Sequence, residues 1–309
     1  MATESSIEWT KSDDGTPGAT WNPVVGCSKV STGCSRCYAI KDAWRMAHNP
    51  NPKLSNVYSG LVEKKPGGNL EWTGEVKCIT KRLYIPGEWK TPKRIFVNSQ
   101  SDLFHPSVPF EFIDDVFYAI QRYNWHTYII LTKRPDRLLE WADSTNCRHY
   151  DILSIVENCW IGVSVENQEQ ADKRIPPLLD LLGLADNPHL IGFLSCEPLL
   201  QEIKIARFFC HSIFCKSYPR KDEPMSWATS TNCTCPKLRW VIAGGESGYK
   251  ARPMQENWAR SLQQQCQAAN VAFFYKQKLD EKGKKVSLPI LDGQRYAEFP
   301  KPCATGMEG

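Results

Sequence analysis

Three closely spaced cysteines carry the most specific chemistry in this chain. Cys27, Cys34 and Cys37 form C-x6-C-x2-C after Trp21-Asn-Pro23, and the last opens an apparent helix, Tyr38-Ala-Ile-Lys-Asp-Ala-Trp44. The residues between the first two, Ser28-Lys-Val-Ser-Thr-Gly33, are small and polar, so the loop can bring the thiols to one centre. Thiolates are soft donors suited to zinc or iron, and a C-x2-C pair at a helix start gains from the positive end of the helix dipole. A structural zinc takes four ligands, yet no histidine follows within ten residues, the first being His48. Three thiolates suit a cubane iron–sulfur cluster that leaves one iron open to an outside ligand. The plain alternative is three free thiols packed into a core.

A second set, Cys210, Cys215, Cys233 and Cys235, reads C-x4-C-x17-C-x-C with His211 beside it. Its ligand count suits a zinc site or a second iron–sulfur cluster, against free thiols in a loop. Cys78, Cys147, Cys159, Cys196, Cys266 and Cys303 are scattered, and Cys266 shares a four-residue spacing with Trp258 and Leu262, as a core helix face would. The total of 13 cysteines is odd, the chain is long, and its first residues show no basic stretch leading into an apolar one. The expected compartment is therefore reducing and cytoplasmic rather than secreted.

Polar residues that could serve a site recur directly after short apolar runs. The runs are Ile95–Val97, Tyr128–Leu131, Trp160–Val163, Leu190–Leu194, Trp240–Ala243 and Val271–Tyr275. Behind them stand Asn98-Ser-Gln-Ser-Asp102, Thr132-Lys-Arg134, Ser164-Val-Glu-Asn167, Ser195-Cys-Glu197, Gly244-Gly-Glu-Ser-Gly248 and Lys276-Gln277. Runs apolar on both faces suit strands of a parallel sheet covered by helices, and strand starts recur at roughly 30 residues, the length of one strand, crossover helix and return, except between Leu190 and Trp240, where the longer gap marks an insertion. In such folds the loops leaving the carboxyl ends of the strands converge on one mouth. Phe110, Ile113, Phe117 and Ile120 share one helical face, and a further helix is expected from near Gln255.

The expected fold class is α/β, as a partial or full (β/α) barrel rather than an open doubly wound sheet. A single barrel-like domain spans 1–279, with a Pro-, Gly- and Lys-rich irregular excursion at 49–94 and a Cys-rich insertion at 201–237. An irregular tail follows at 280–309. At the polar mouth, Lys133, Arg134 and Lys276 can simply neutralise Glu166, Glu197 and Glu246. Taken together, the carboxylates, amines and small residues describe a pocket for a polar ligand. Gly244 and Gly245 let backbone amides approach an anionic or zwitterionic group, although neither a dinucleotide fingerprint nor a Walker A sequence is present.

Composition narrows the class without naming it. In 309 residues, 23% charged and 41% hydrophobic side chains are ordinary for a globular protein, and no apolar run approaches a membrane span. A net charge of +4 permits a nucleic-acid partner without requiring one.

Ile7-Glu-Trp9, Thr20-Trp-Asn-Pro23 and Gly26-Cys-Ser-Lys-Val-Ser-Thr-Gly-Cys-Ser-Arg-Cys-Tyr38 resemble the start of an uncharacterised family of phage and bacterial proteins with a three-cysteine motif. Phe96–Phe104, Leu131–Pro135, Gly162–Asn167, Phe193–Leu199 and Val241–Gly248 match its later blocks, so the resemblance covers most of residues 5–277. That family is similar to the radical S-adenosylmethionine (SAM) superfamily. The resemblance implies a partial or full (β/α) barrel of the radical SAM type, with a [4Fe-4S] cluster on Cys27, Cys34 and Cys37. SAM would chelate the fourth iron and be cleaved by one electron to a 5′-deoxyadenosyl radical. A flavodoxin- or ferredoxin-type single-electron reductant is the implied partner, and nucleic acid or a nucleotide is a candidate substrate.

On this reading Asn98, Ser99, Asp102, Ser164, Glu166, Gly244, Gly245 and Glu246 are the candidate cofactor contacts, and Lys133, Glu197 and Lys276 the candidate catalytic groups. Two features depart from the superfamily pattern. Its common motif is C-x3-C-x2-C with an aromatic before the last cysteine, whereas here the first gap is six and Arg36 stands there, with Tyr38 after. Its Gly-Gly-Glu element follows the second strand, whereas Gly244-Gly-Glu246 lies late and Asn98, Ser99 and Asp102 occupy that place. The competing class is a zinc-stabilised nucleic-acid-binding protein without catalysis. Lys77, Lys81, Arg82, Lys90, Lys93 and Arg94, with Trp72, Tyr84 and Trp89 among them, would supply phosphate contacts and stacking.

Overall fold

A computed structural model describes residues 4–144, 152–154, 156–185, 187, 189–209, 238–248 and 250–301. The fold is mixed α/β, built on a mostly parallel sheet of eight strands, and the chain divides into two compact units, 1–152 and 153–309. Among the described residues, no helix is long and apolar enough to cross a membrane.

In the first unit β1 (Ala19–Trp21) is followed by a two-residue strand, β2 (Val24–Val25). After the cysteine loop come α1 (Tyr38–Ala47), α2 (Pro52–Tyr58), β3 (Val62–Lys64), β4 (Leu70–Trp72), β5 (Lys77–Cys78) and a 3-10 helix at Thr80–Glu88. The chain then enters β6 (Arg94–Val97), crosses through α3 (Phe110–Arg122) to β7 (Thr127–Thr132), and leaves by α4 (Pro135–Asp143). β1, β6 and β7 lie side by side and parallel. Phe112, Ile113, Val116, Phe117 and Ile120 bury one face of α3, and Phe117 stacks on Trp141 of α4 at 4.7 Å.

The 49–94 excursion is more regular than its Pro and Gly content predicts. It contains α2, the antiparallel β3–β4 pair and β5, which pairs with β2. Ile40 and Ala43 of α1 join Val25, Tyr58, Leu61 and Val62 in one apolar cluster, so the excursion is the bed on which α1 rests. Short elements leave too few residues for a hydrophobic period to emerge, which is why punctuation alone suggests irregularity.

In the second unit β8 (Cys159–Ser164), β9 (Ile191–Cys196), β10 (Leu238–Gly244) and β11 (Ala272–Leu279) are parallel neighbours in chain order. α5 (Gln168–Leu184) links β8 to β9, and α6 (Glu256–Ala268) links β10 to β11. Both β8 and β9 are buried along their whole length, as apolar runs covered on two faces should be. Trp240 centres this core, with Trp160, Phe193, Phe274 and Phe299 around its ring.

The tail after Leu279, predicted as irregular, returns to the sheet. β12 (Lys285–Ser287) pairs antiparallel with β11, β13 (Ile290–Leu291) pairs with β14 (Gln294–Arg295), and Ala297 bridges Phe274. The Trp240 indole donates to the Glu298 carbonyl at 2.8 Å, so apolar burial and a satisfied N–H together hold residues that the prolines suggested were loose.

Candidate functional site

Each cysteine of the triad is placed by an identifiable local device. Gly26, at φ +89°, turns the chain out of β2, and a β-carbon there would lie 2.2 Å from the Glu75 carbonyl oxygen, so only glycine fits before Cys27. Cys34 ends a short 3-10 turn, Thr32–Cys34, and Cys37 is the N-cap residue of α1. All three are free thiols and partly buried. Burial, then the nearby Asp102 carboxylate, push the Cys27 thiol up to about 12, while Arg134 works against that rise. Burial raises Cys37 as well, opposed by the amides of Ala39 and Ile40 and by the Lys133 ammonium, without a capping hydrogen bond being formed. The Cys37 amide donates to the Cys34 carbonyl at 3.4 Å, which holds the last two cysteines of the motif on one turn.

The loop after β6 is knitted to the cysteine segment. Asn98 adopts φ +57°, accepts from the Val24 amide at 3.3 Å through Oδ1, and donates its own amide to Trp21 at 2.7 Å. Its buried Nδ2 has no hydrogen-bond partner among the described residues. The Ser99 hydroxyl donates to Asn22 Oδ1 at 3.2 Å, and the Ser99 carbonyl accepts from the Tyr38 hydroxyl at 2.6 Å. Asp102 accepts from the Thr132 hydroxyl and the Phe104 amide at one oxygen, and from the Lys133 amide and Arg134 guanidinium at the other. Those four donors use the whole lone-pair capacity of a carboxylate, so Asp102 organises the loop rather than presenting a vacant acceptor to a ligand.

Arg134, at the end of β7, ties these parts together. Nη1 donates to Asp102 Oδ2 at 2.9 Å and to Cys27 Sγ at 3.8 Å, and Nη2 donates to the Ser28 carbonyl at 2.9 Å and hydroxyl at 3.0 Å. His105 Nε2 lies 2.9 Å from the same hydroxyl. Ser28, His105, Asn22 and Tyr38 are absent from the sequence-based site, and Arg134 enters it only as a possible partner for distant glutamates. Its position behind a strand was the available signal, but no periodicity says which anion it meets.

In the second unit the glutamates find mostly local partners. Glu166 is fully buried 2.9 Å from Arg174 of α5, which also donates to the Ser164 carbonyl. Glu246 accepts from the Arg252 amide at 2.8 Å and pairs with its guanidinium. Glu197 meets an expected cation: Lys276 Nζ is 2.9 Å from Oε1, and the Ser195 hydroxyl donates to Oε2 at 3.2 Å. A β-carbon on Gly244 would stand 2.9 Å from Glu197 Oε1. The Gly245 amide donates to the Gln277 carbonyl and its carbonyl accepts from the Gln277 side chain. The two glycines therefore make room for Glu197 and for backbone pairing, where sequence suggested amides held for an anionic ligand.

Most of the basic stretch serves the first unit internally. Arg82 donates to the Asn22 carbonyl at 2.7 Å, and Arg94 to the Lys11 carbonyl and Asp13. Lys77 donates to the Ser59 carbonyl, Lys90 to that of Gly87, and Trp89 is buried. Tyr84 alone of the three aromatics is strongly exposed. Cys210, Cys215, Cys233 and Cys235 lie outside the described residues. Among the described residues, no group of three or more His, Cys, Asp or Glu side chains is arranged to hold a metal ion.

No curated protein and no solved structure matches the chain. A family model described as a protein of unknown function, DUF5131, matches residues 4–300, and the chain belongs to that family.

Proposed function

We propose that this protein is a radical SAM-like enzyme that holds a [4Fe-4S] cluster on Cys27, Cys34 and Cys37, on a partial or full (β/α) barrel. The observation that carries the reading is three free, partly buried cysteines on one braced loop, with an arginine N–H directed at the first. Their donor chemistry fits a thiophilic centre.

When bound on Cys27, Cys34 and Cys37, a reduced cluster would supply the one electron that cleaves the sulfonium of SAM, and with it hydrogen-atom abstraction from a substrate. The chain's own residues bind, orient and exclude water. Asn98 offers a buried, unpartnered N–H to a cofactor acceptor, the strongest support for any of the proposed cofactor contacts. In the second unit the ion pair of Glu197 with Lys276 is the proposed catalytic pair, and Ser195 holds the second carboxylate oxygen of Glu197.

The test is anaerobic reconstitution with iron and sulfide. About four irons per chain, an EPR signal of the reduced protein that shifts on adding SAM, and 5′-deoxyadenosine released with dithionite are expected. Cys27→Ala, Cys34→Ala and Cys37→Ala should each abolish all three. Zinc without iron in protein purified anaerobically from iron-replete cells would overturn the proposal in favour of a zinc-stabilised binding protein.

A further inference from the structure

We propose that Arg134 is a positioning residue that sets the reduction potential of the centre held by Cys27, Cys34 and Cys37. The inference rests on the cluster reading and goes beyond it, by assigning a residue outside the cysteine motif to control of electron acceptance.

The geometry gives Arg134 two tasks. One arm of its guanidinium grips Ser28 twice, fixing the residue after Cys27, and the other directs an N–H at Cys27 Sγ while the same nitrogen is anchored by Asp102. Arg134 and Asp102 are both largely buried, at 9% and 7% side-chain exposure, so water screens the guanidinium little. Asp102 in turn takes donors from Thr132, Phe104 and Lys133, which keeps the arginine from swinging away. A hydrogen bond to a ligand sulfur and a nearby cation both stabilise the form carrying more negative charge, raising the potential of the cluster. The step concerned is one-electron reduction of the cluster from 2+ to 1+ by a low-potential flavodoxin- or ferredoxin-type donor, with no bond made or broken. Lysine preserves the charge but lacks the planar fork that reaches Ser28, Asp102 and Cys27 at once.

The experiment compares wild type, Arg134→Gln, Arg134→Lys and Ser28→Ala after anaerobic reconstitution, by iron and sulfide content and by EPR-monitored redox titration. Wild type and Ser28→Ala should titrate together, since the latter keeps the Arg134–Cys27 contact. Arg134→Gln should titrate at a clearly more negative potential, and Arg134→Lys between the two, at unchanged iron and sulfide. Equal potentials for wild type and both Arg134 variants would overturn the inference while leaving the cluster intact. A wild-type protein that takes up no cluster would instead overturn the reading beneath it. If Arg134→Gln fails to fold by circular dichroism, the Arg134→Lys potential decides: a negative shift supports the inference and no shift overturns it.

Discussion

At the scale of single residues, the molecule separates charges that build the fold from charges left at its surface. Asp102 is buried with four donors, one from a buried arginine, so removing it leaves Arg134 and two backbone amides without their acceptor. Truncating one partner of a buried ion pair costs about 3–5 kcal/mol, most of it from the charge left behind. Asp102→Ala should therefore lower the urea midpoint by that equivalent. Asp13→Ala, which breaks the pair between Arg94 and an 80% exposed carboxylate, should leave it unchanged. Equal losses for the two variants would contradict this division. The residue types of the triad were legible in the sequence because C-x6-C-x2-C is a local pattern. Arg134 was not, because its partners Asp102, Ser28 and Cys27 stand 32, 106 and 107 residues away and sequence spacing does not encode such meetings.

At the scale of elements, the sequence was most informative where hydrophobic character is continuous. The apolar runs at 95–97, 128–131, 160–163 and 240–243 each fall within an observed strand, because burial on both faces requires uninterrupted apolar side chains. α5 shows the opposite case. Pro176 and Pro177 lie inside it and Gly183 near its end, yet the helix runs unbroken from Gln168 to Leu184. Its start is defined instead by Asn167, whose Oδ1 accepts from the Gln170 amide at 2.9 Å. α5 carries Arg174 to the buried Glu166, so the cap supports both the helix and that ion pair. Asn167→Ala should cost about 1 kcal/mol, and Asn167→Ser should recover most of it, as judged by equilibrium urea unfolding. A loss of the same size in both variants would show that the helix start does not depend on the capping oxygen.

At the scale of the whole molecule, sequence spacing suggested one unit closed at 279, whereas the described chain gathers into two compact units and its tail packs back through Glu298 and Phe299. Such return contacts depend on distant partners, which periodicity cannot supply. Global stability should carry the signature of two buried neutral histidines in the first unit. His126 accepts the Lys93 amide at Nδ1, at 3.2 Å, so its proton sits on Nε2, 2.9 Å from the Pro86 carbonyl. His105 likewise accepts the Ser107 amide at Nδ1 and faces the Ser28 hydroxyl with Nε2. A second proton on either ring would point at a backbone N–H. Burial lowers both: His105 is drawn down to about 4, with Arg134 adding to the fall and Asp102 opposing it, while for His126 the bond to Pro86 resists and Lys93 assists. The unfolded chain binds these protons near pH 6.5 and the folded chain only below that, so stability is full above about 6.5 and declines as pH falls toward 4. Between pH 6.5 and 5, where ordinary carboxylates remain ionised, the urea midpoint should drop. A His105→Gln, His126→Gln variant should show a flatter profile from a lower starting stability. A wild-type midpoint that is constant across this window would mean that the two rings do not remain neutral in the folded protein.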